Sequence, residues 1–340
     1  MWLEDEIYGH FEITEPVLKE LLNAPELQRL KGISMAGYYP GCPEFGNPEY
    51  NRYNHSIGVL LLLRKFGAPL PEQIAGLIHD VSHSAFSHTI DYIRKDAEGE
   101  KTHDGQDKIH DGFVRASGLK TILERHGFNP DDILDDRNFP LKENELPDIC
   151  ADRLDYAVRQ GYYDYHYLSF DEVQKIWNGL AVCNGSFVFA DLKAAGLYAH
   201  TFCKLNEIGW SGLSTAVMFS VSSAMFRRAL AQGYVEFADF YNCGDAFVIG
   251  KIERHLSYDA ELLRLYRLLQ RPVSDFCNSS ASCLETLYCK NRIVNPLVLQ
   301  KDGSMKRYAD IDADYAAQIK GLPKFKQYGV ALKAEADKIA

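Results

Sequence analysis

The chain has 340 residues, 46% hydrophobic and 25% charged, the make-up of an ordinary globular protein with room for one large domain or two modest ones. Its 47 acidic and 37 basic residues leave a formal net charge of −10, which argues against a dedicated duplex-DNA binder, since that needs a basic face to offset phosphates. A small phosphorylated substrate stays compatible, because a metal ion and a few local Arg or Lys override the global sign.

Met1-Trp2-Leu3 runs into Glu4-Asp5-Glu6, where a secretory signal wants a basic and then an apolar run. The longest charge-free apolar stretch, Gly212 to Phe226, carries small polar residues and falls short of the ~18–20 residues that span a bilayer. The expectation is a cytoplasmic protein with no membrane association. Eight cysteines contain no C-x-x-C pair and read as reduced packing thiols. Cys277, Cys283 and Cys289 are evenly spaced but lack a His/Cys partner set for zinc.

Taken in order, Thr14-Glu15-Pro16 predicts a helix start with a Thr cap and Pro in the first turn. Asn23-Ala24-Pro25 repeats the signal before Leu27, Leu30 and Ile33 at helical spacing. Gly37 to Tyr53, rich in Gly, Pro, Asn and Tyr, predicts a loop. A buried helix follows with His55, Val59, Leu62 and Phe66 on one stripe, and another over Gln73 to Ser82. Residues 95–108 are polar and Gly-containing and read as an exposed segment beside the site. Pro147 to Arg159 predicts a helix, and Val182 to Phe189 a hairpin turning at Asn184-Gly185, a pair suited to a type I′ turn. Ala194 to Leu230 and Leu256 to Leu269 predict further helices, and Ile293 to Ile311 a second hairpin around Asp302-Gly303. The fold class is mainly α, a helical bundle over 1–180 with a small α+β appendage over 181–340 that carries short β-hairpins and packs on it as one continuous unit.

The chemistry concentrates in Ile78 to Asp91, where His79, Asp80, His83, His88 and Asp91 fall within one short stretch. Burying an imidazole beside a carboxylate is costly without a partner, and a divalent cation resolves that cost. His79 and His83 are four residues apart, His88 and Asp91 three, so each pair shares a face wherever the backbone is helical. Two further blocks match in character: Arg52-Tyr-Asn-His55 opens a buried helix, and Asp152-Arg153-Leu-Asp155-Tyr156 puts Asp152, Asp155 and Tyr156 on one face. Two nitrogen and two oxygen ligands leave coordination positions for water and a phosphate oxygen.

Arg-Tyr-x-His-Ser-x-Gly-Val (52–59), His-Asp-x-x-His-x-x-x-x-His-x-x-Asp (79–91) and Asp-x-x-Asp-Tyr (152–156), in that order, resemble the HD superfamily of metal-dependent phosphohydrolases, within it the branch of the deoxynucleoside triphosphate triphosphohydrolases. The resemblance runs from Leu27-Gln-Arg-Leu30 to about Arg228. It implies an HD-type helical bundle and one divalent metal ion (Fe, Mn, Ni, Co, Zn or Mg) held by His55, His79, Asp80 and Asp152. It further implies that His83, His88, Asp91 and a later His, either His103 or His110 with His103 the better spaced, act at the phosphates as acid/base groups or charge stabilisers. Arg52 and Arg153 would contact phosphate and Tyr156 would stack near sugar or base. The substrate class is a small phosphate ester, a nucleotide foremost, with homo-oligomerisation left open. Cyclic-nucleotide phosphodiesterase, di-iron oxygenase and a metal-binding sensor without turnover are the alternatives on this scaffold.

Two departures bear on the substrate. Met35 and Ala36 stand where the triphosphohydrolases carry a Gln that bonds the 3′-hydroxyl and a Leu that crowds a 2′-hydroxyl. The stretch Gly212 to Val221 lacks the family's cations, which thins the triphosphate clamp. Outside these blocks, His126 and His200 read as packing or surface residues and Arg227-Arg228 as a solvated face. Tyr162, Tyr163, Tyr165 and Tyr167 read either as interface and core or as a pocket wall. Asp155 reads either as a surface ion-pair partner or as part of the site.

Overall fold

Helices carry most of the chain and small sheets close its ends in the computed structural model, which describes residues 1–45, 50–94, 105–279 and 283–336. The N-terminus forms an antiparallel hairpin of β1 (Trp2–Asp5) and β2 (Gly9–Glu12), with Leu3 opposite Phe11. Each strand has four residues, too few for a readable alternation. α1 (Pro16–Asn23) and α2 (Pro25–Arg29) both start on their prolines. Neither uses the expected side-chain cap: Glu15 and Ala24 hold the cap positions, and Asn23 instead donates back to the Lys19 carbonyl at 2.7 Å.

α3 (Arg52–Lys65) is capped by Asn51, whose side chain accepts from the Asn54 N–H. The stripe through His55, Val59 and Leu62 is one side of a helix buried all round from His55 to Leu63. A Cβ on Gly58 would lie 1.9 Å from Asp155 Oδ1, so glycine lets α3 press against the helix Ala151–Tyr163. α4 (Leu70–Ile78) stops earlier than Ser82, and His79 forms its C-cap. The chain then turns through 79–88, with Phe86 (φ 61) and Ser87 (φ 50) in the left-handed region, before α5 (Thr89–Ile93). The Asp152 helix begins at Ala151 rather than Pro147, because Cys150 is extended and the Ala151 N–H donates to the Leu141 carbonyl at 2.7 Å.

The Asn184-Gly185 hairpin forms as expected, β3 (Leu180–Cys183) with β4 (Ser186–Phe189), both turn residues at positive φ. The expected helix Ala194–Leu230 is two helices, Leu192–Leu205 and Leu213–Ala231, parted by a π turn over Asn206–Trp210. Ser211 returns both its N–H and its hydroxyl to the Asn206 carbonyl, and a Cβ on Gly212 would meet the Ile208 carbonyl oxygen at 1.9 Å, so only glycine makes this break. Short helices Phe237–Asn242 and Asp245–Glu253 follow, and the helix expected from Leu256 starts at Ala260, where Asp259 caps it. Beyond it lie β5 (Phe276–Asn278), β6 (Glu285–Lys290), β7 (Leu297–Leu299), β8 (Met305–Arg307) and β9 (Phe325–Leu332). The second expected hairpin is β7–β8, turning at Gly303, and β7 also pairs in parallel with β4. The antiparallel sheet β5-β9-β6 was not anticipated.

One apolar core unites the hairpin, α1–α4 and the helices around Leu154, Trp177 and Phe202. A second unites Phe86, Tyr92, the helix Leu213–Ala231 and the β5-β9-β6 sheet. The residues expected to carry chemistry sit along the seam between them. Among the described residues, no helix is long and apolar enough to cross a membrane.

Candidate metal centre and active-site cavity

His55, His79 and Asp152 come from three different elements, and their ligand atoms lie within 4.8 Å of one another. His55 Nε2 is 2.9 Å from Asp152 Oδ1 and 3.2 Å from His79 Nε2, and His79 Nε2 is 3.5 Å from Asp152 Oδ1. Asp80 adjoins them, with Oδ1 3.4 Å from His79 Nε2 and Oδ2 3.8 Å from His55 Nε2. The hydrogen-bond partners decide what this cluster wants. His55 Nδ1 faces the Asp155 carboxylate at 2.7 Å and His79 Nδ1 faces the Gly76 carbonyl at 2.7 Å. Each Nδ1 therefore carries a proton, and each Nε2 is turned toward carboxylate oxygens, where positive charge, a second proton or a metal ion, is favoured. Acceptors crowded together at such distances require a cation, and adjacent donors around a metal bound at ~2.0–2.2 Å stand roughly 3 Å apart. His55, His79 and Asp152 fit a divalent metal, with Asp80 beside them and bonded to Arg52.

The electrostatics agree. Burial depresses the His55 imidazolium, yet Asp152 and Asp155 outweigh it and lift the ring to about 9. Burial raises the Asp152 carboxyl, but His55 and His79 more than offset it and hold it well below the carboxylate range. The cluster favours positive charge at this point.

Behind His55 the support is itself charged and buried. Asp155 accepts from the Tyr8 hydroxyl at 2.7 Å and from Arg159 Nη2 at 3.1 Å, and Arg159 also reaches Asp5 at 2.9 Å. Asp155 is thus no surface ion-pair partner. It orients the ring of His55 and ties it to the N-terminal hairpin, the arrangement that fixes a ligand's tautomer. The loop 79–88 is held from the other side. Arg29 donates to the carbonyls of Val81 and His83, at 3.1 and 2.6 Å. Asp245 accepts from the Ser34 and Phe86 N–H groups at 2.9 and 2.8 Å, which stabilises the left-handed turn at Phe86.

The remaining expected residues fall as follows. His83 Nε2 lies 3.2 Å from Asp80 Oδ1, so its carboxylate neighbour is Asp80 and not Asp91, and burial with the nearby Arg52 pushes the ring down to about 4. Asp91 is buried behind His88, 3.9 Å from its Nδ1, and does not line the cavity; His88 does. His103 lies outside the described residues. Its rival His110 lines the cavity beside Ser82, its ring pushed to about 4 by burial and Lys142. Arg52 lines the cavity too, with all three guanidinium nitrogens engaged by Ser87, Asp80 and the Met35 carbonyl. Arg153 donates to Glu143 and to the Asp148 and Asn144 carbonyls. The four tyrosines after Gly161 face elsewhere: Tyr162 and Tyr163 donate to Glu6.

The cluster opens into a cavity of about 460 Å³. Tyr156 lines it, with its ring 5.1 Å from Trp210 at 83°, and Trp210 donates to Gln160. Met35, Ala36 and Tyr50 line the same space. Lys142 and, far along the chain, the near neighbours Lys290 and Arg292 bring cations to it. Arg29, Asp245, Trp210, Lys290 and Arg292 carry no motif of their own; only the fold brings them to the site.

The HD domain family matches residues 52–159, the span that holds His55, His79, Asp80 and Asp152. The metal-dependent phosphohydrolase cns2 of Cordyceps militaris is 31% identical over 254 residues, which cover 72% of this chain and 70% of that protein. YdhJ of Bacillus subtilis, an uncharacterised protein, is 38% identical over 207 residues, and the chain spans 61% of its length. Human deoxynucleoside triphosphate triphosphohydrolase SAMHD1 is 27% identical, with 53% of this chain matched to 37% of that protein. The fold is shared with a phosphohydrolase from Bacteroides thetaiotaomicron, at a TM-score of 0.71 and 16% identity over 97% of this chain and 99% of the other. The chain belongs to the HD superfamily of metal-dependent phosphohydrolases.

Proposed function

We propose that the protein hydrolyses a phosphate ester or anhydride of a nucleotide at one divalent metal held by His55, His79, Asp80 and Asp152. The observation that carries this reading is the convergence of acceptor atoms from His55, His79 and Asp152 at the floor of a cavity walled by Tyr156, Trp210 and Tyr50. A cation there lowers the pKa of bound water and polarises a phosphoryl oxygen. Tyr156 and Trp210 offer aromatic faces to a base or sugar. His88 reaches the cavity with Asp91 behind it, 3.9 Å from its Nδ1, which places the ring to donate to a leaving oxygen. His83 and His110 line the phosphate side, and Arg153 adds fixed positive charge where negative charge develops. SAMHD1, named as a deoxynucleoside triphosphate triphosphohydrolase, supports a nucleotide as substrate.

Met35 and Ala36 line the cavity without an amide for a 3′-hydroxyl or bulk against a 2′-hydroxyl. An apolar contact discriminates one hydroxyl by at most ~10²-fold, whereas a dedicated hydrogen-bonding site reaches ~10⁴–10⁵. Phosphate release from matched ribo- and deoxyribonucleotides by the metal-loaded protein tests both points. The expected result is turnover of nucleotides with a kcat/KM ratio between matched sugars under ~10². Turnover of simple phosphate esters but of no nucleotide would reject the substrate class, and a larger sugar preference would reject the role given to Met35 and Ala36.

A further inference from the structure

The chain is acidic overall, yet it spends cations on one side of this cavity. Lys290 ends strand β6, Arg292 follows two residues later, and Arg153 sits on the helix that carries Asp152. All three line the space in front of Tyr156. Like charges brought together out of bulk water repel, so the fold must hold them there.

A buried amide lock does so. Asn206 and Asn291, both buried, join side chain to side chain. Asn206 Oδ1 accepts the Arg292 N–H at 2.7 Å, and Asn291 Nδ2 donates to the Pro323 carbonyl at 2.7 Å. Ser211 donates to Asn291 Oδ1 at 3.2 Å, and Tyr328 on β9 donates to the Ser211 carbonyl at 2.7 Å. The segment after β6 is thereby fastened to the π turn that presents Trp210, and one rigid wall offers both the aromatic face and the cations. Buried polar groups satisfied this fully specify one arrangement.

We infer that Lys290 and Arg292, beside Arg153, form a subsite for a second phosphoryl group of the substrate, beyond the one attacked at the metal. The inference rests on the nucleotide reading for what the second phosphoryl belongs to, and on the charged wall for its existence. Asp107 and Glu143 also face Lys290 and offset part of the charge, yet burial and Arg292 still lower the ammonium to about 8. A bound dianion would add negative charge beside both cations. The same wall supplies cations that the stretch Gly212–Val221 lacks. The second phosphoryl is either the next in a 5′-polyphosphate chain or one on the opposite side of the sugar, and the chemistry recognised is the same.

The experiment is calorimetric titration of the metal-loaded protein with inorganic tripolyphosphate and with orthophosphate, for the wild type, Lys290→Met, Arg292→Gln and the double variant. Wild type is expected to bind tripolyphosphate about ten- to hundred-fold tighter than orthophosphate, and the double variant to lose most of that margin while binding orthophosphate within about threefold of wild type. Lys290→Arg, which keeps the charge, should keep the margin. An undiminished margin in the double variant, or as large a loss in Lys290→Arg as in Lys290→Met, overturns the subsite. Kinetics then identify the source: the variants should lose kcat/KM on a nucleoside 5′-triphosphate or on a 3′,5′-bisphosphate relative to the 5′-monophosphate, and equal kcat/KM on all three overturns the subsite. A protein that turns over no nucleotide yet shows the tripolyphosphate pattern leaves the subsite standing and removes the nucleotide reading.

Discussion

In the interior of a helix a glycine ordinarily costs about 1 kcal/mol relative to alanine, yet Gly58 sits in the middle of α3, one turn after His55. Its missing side chain is the room that the Asp155 carboxylate occupies, and Asp155 in turn holds His55. Gly58→Ala should therefore act against helix propensity, destabilising the fold by ~1–3 kcal/mol as overpacking does and weakening metal binding ~10–100-fold as loss of a ligand's supporting partner does. Thermal melts and metal titration check this, and a more stable variant with wild-type affinity would contradict it. The histidines divide differently. His88 packs edge-on against His83, 5.3 Å between ring centres, with Asp91 behind it, whereas His83 bonds Asp80. His88→Ala should keep its metal and lose ~10²–10⁴-fold in kcat, the range for removing a general acid. Near-normal turnover with metal bound would transfer the role to His83 or His110.

The loop 79–88 is the element on which the site depends, and it has little regular structure of its own. Asp245, at the first turn of the helix Asp245–Glu253, ties it to Ser34 through two backbone N–H groups. Burial raises this carboxyl to about 6 despite those bonds. A folded-state value above the unfolded ~3.9 means the favourable contribution is whole below about pH 4 and is lost as pH rises through about 6, on the order of 3 kcal/mol. Asp245→Asn has no such slope. Its single carbonyl oxygen cannot replace both carboxylate oxygens, so it starts less stable than wild type, and its deficit should narrow between about pH 4 and 7. Urea denaturation of both proteins across that range measures it, and a deficit independent of pH would contradict the assignment. The loop also shows what a sequence discloses at this scale. His79-Asp80 and the spacing to His83, His88 and Asp91 are readable because the ligand types are chemically unusual together. The partners that shape the loop, Arg29 and Asp245, are ordinary residues far away in the chain, and no local pattern marks them.

At the scale of the whole molecule, two cores meet along the seam that holds the proposed metal-binding residues, and each draws on both halves of the chain. Elements with strong local signals, the proline-started helices and the Asn184-Gly185 hairpin, were legible from sequence. The β5-β9-β6 sheet was not, because β5 has three residues and its partner β9 is far away in the chain, so pairing is decided by tertiary contact and not by propensity. For the same reason the cations of Lys290 and Arg292 could not be placed, although His55, His79, Asp80 and Asp152 could be singled out by residue type and order. That ligand set is the centre of the account. The most direct test is elemental analysis of protein reconstituted with a divalent metal and freed of excess, for wild type, His79→Ala and Asp152→Ala, each shown folded by circular dichroism. The expected result is one bound ion per wild-type chain and less than about a tenth of that in either variant, since losing one of four ligands leaves the others poorly arranged. Undiminished metal in either variant would contradict it.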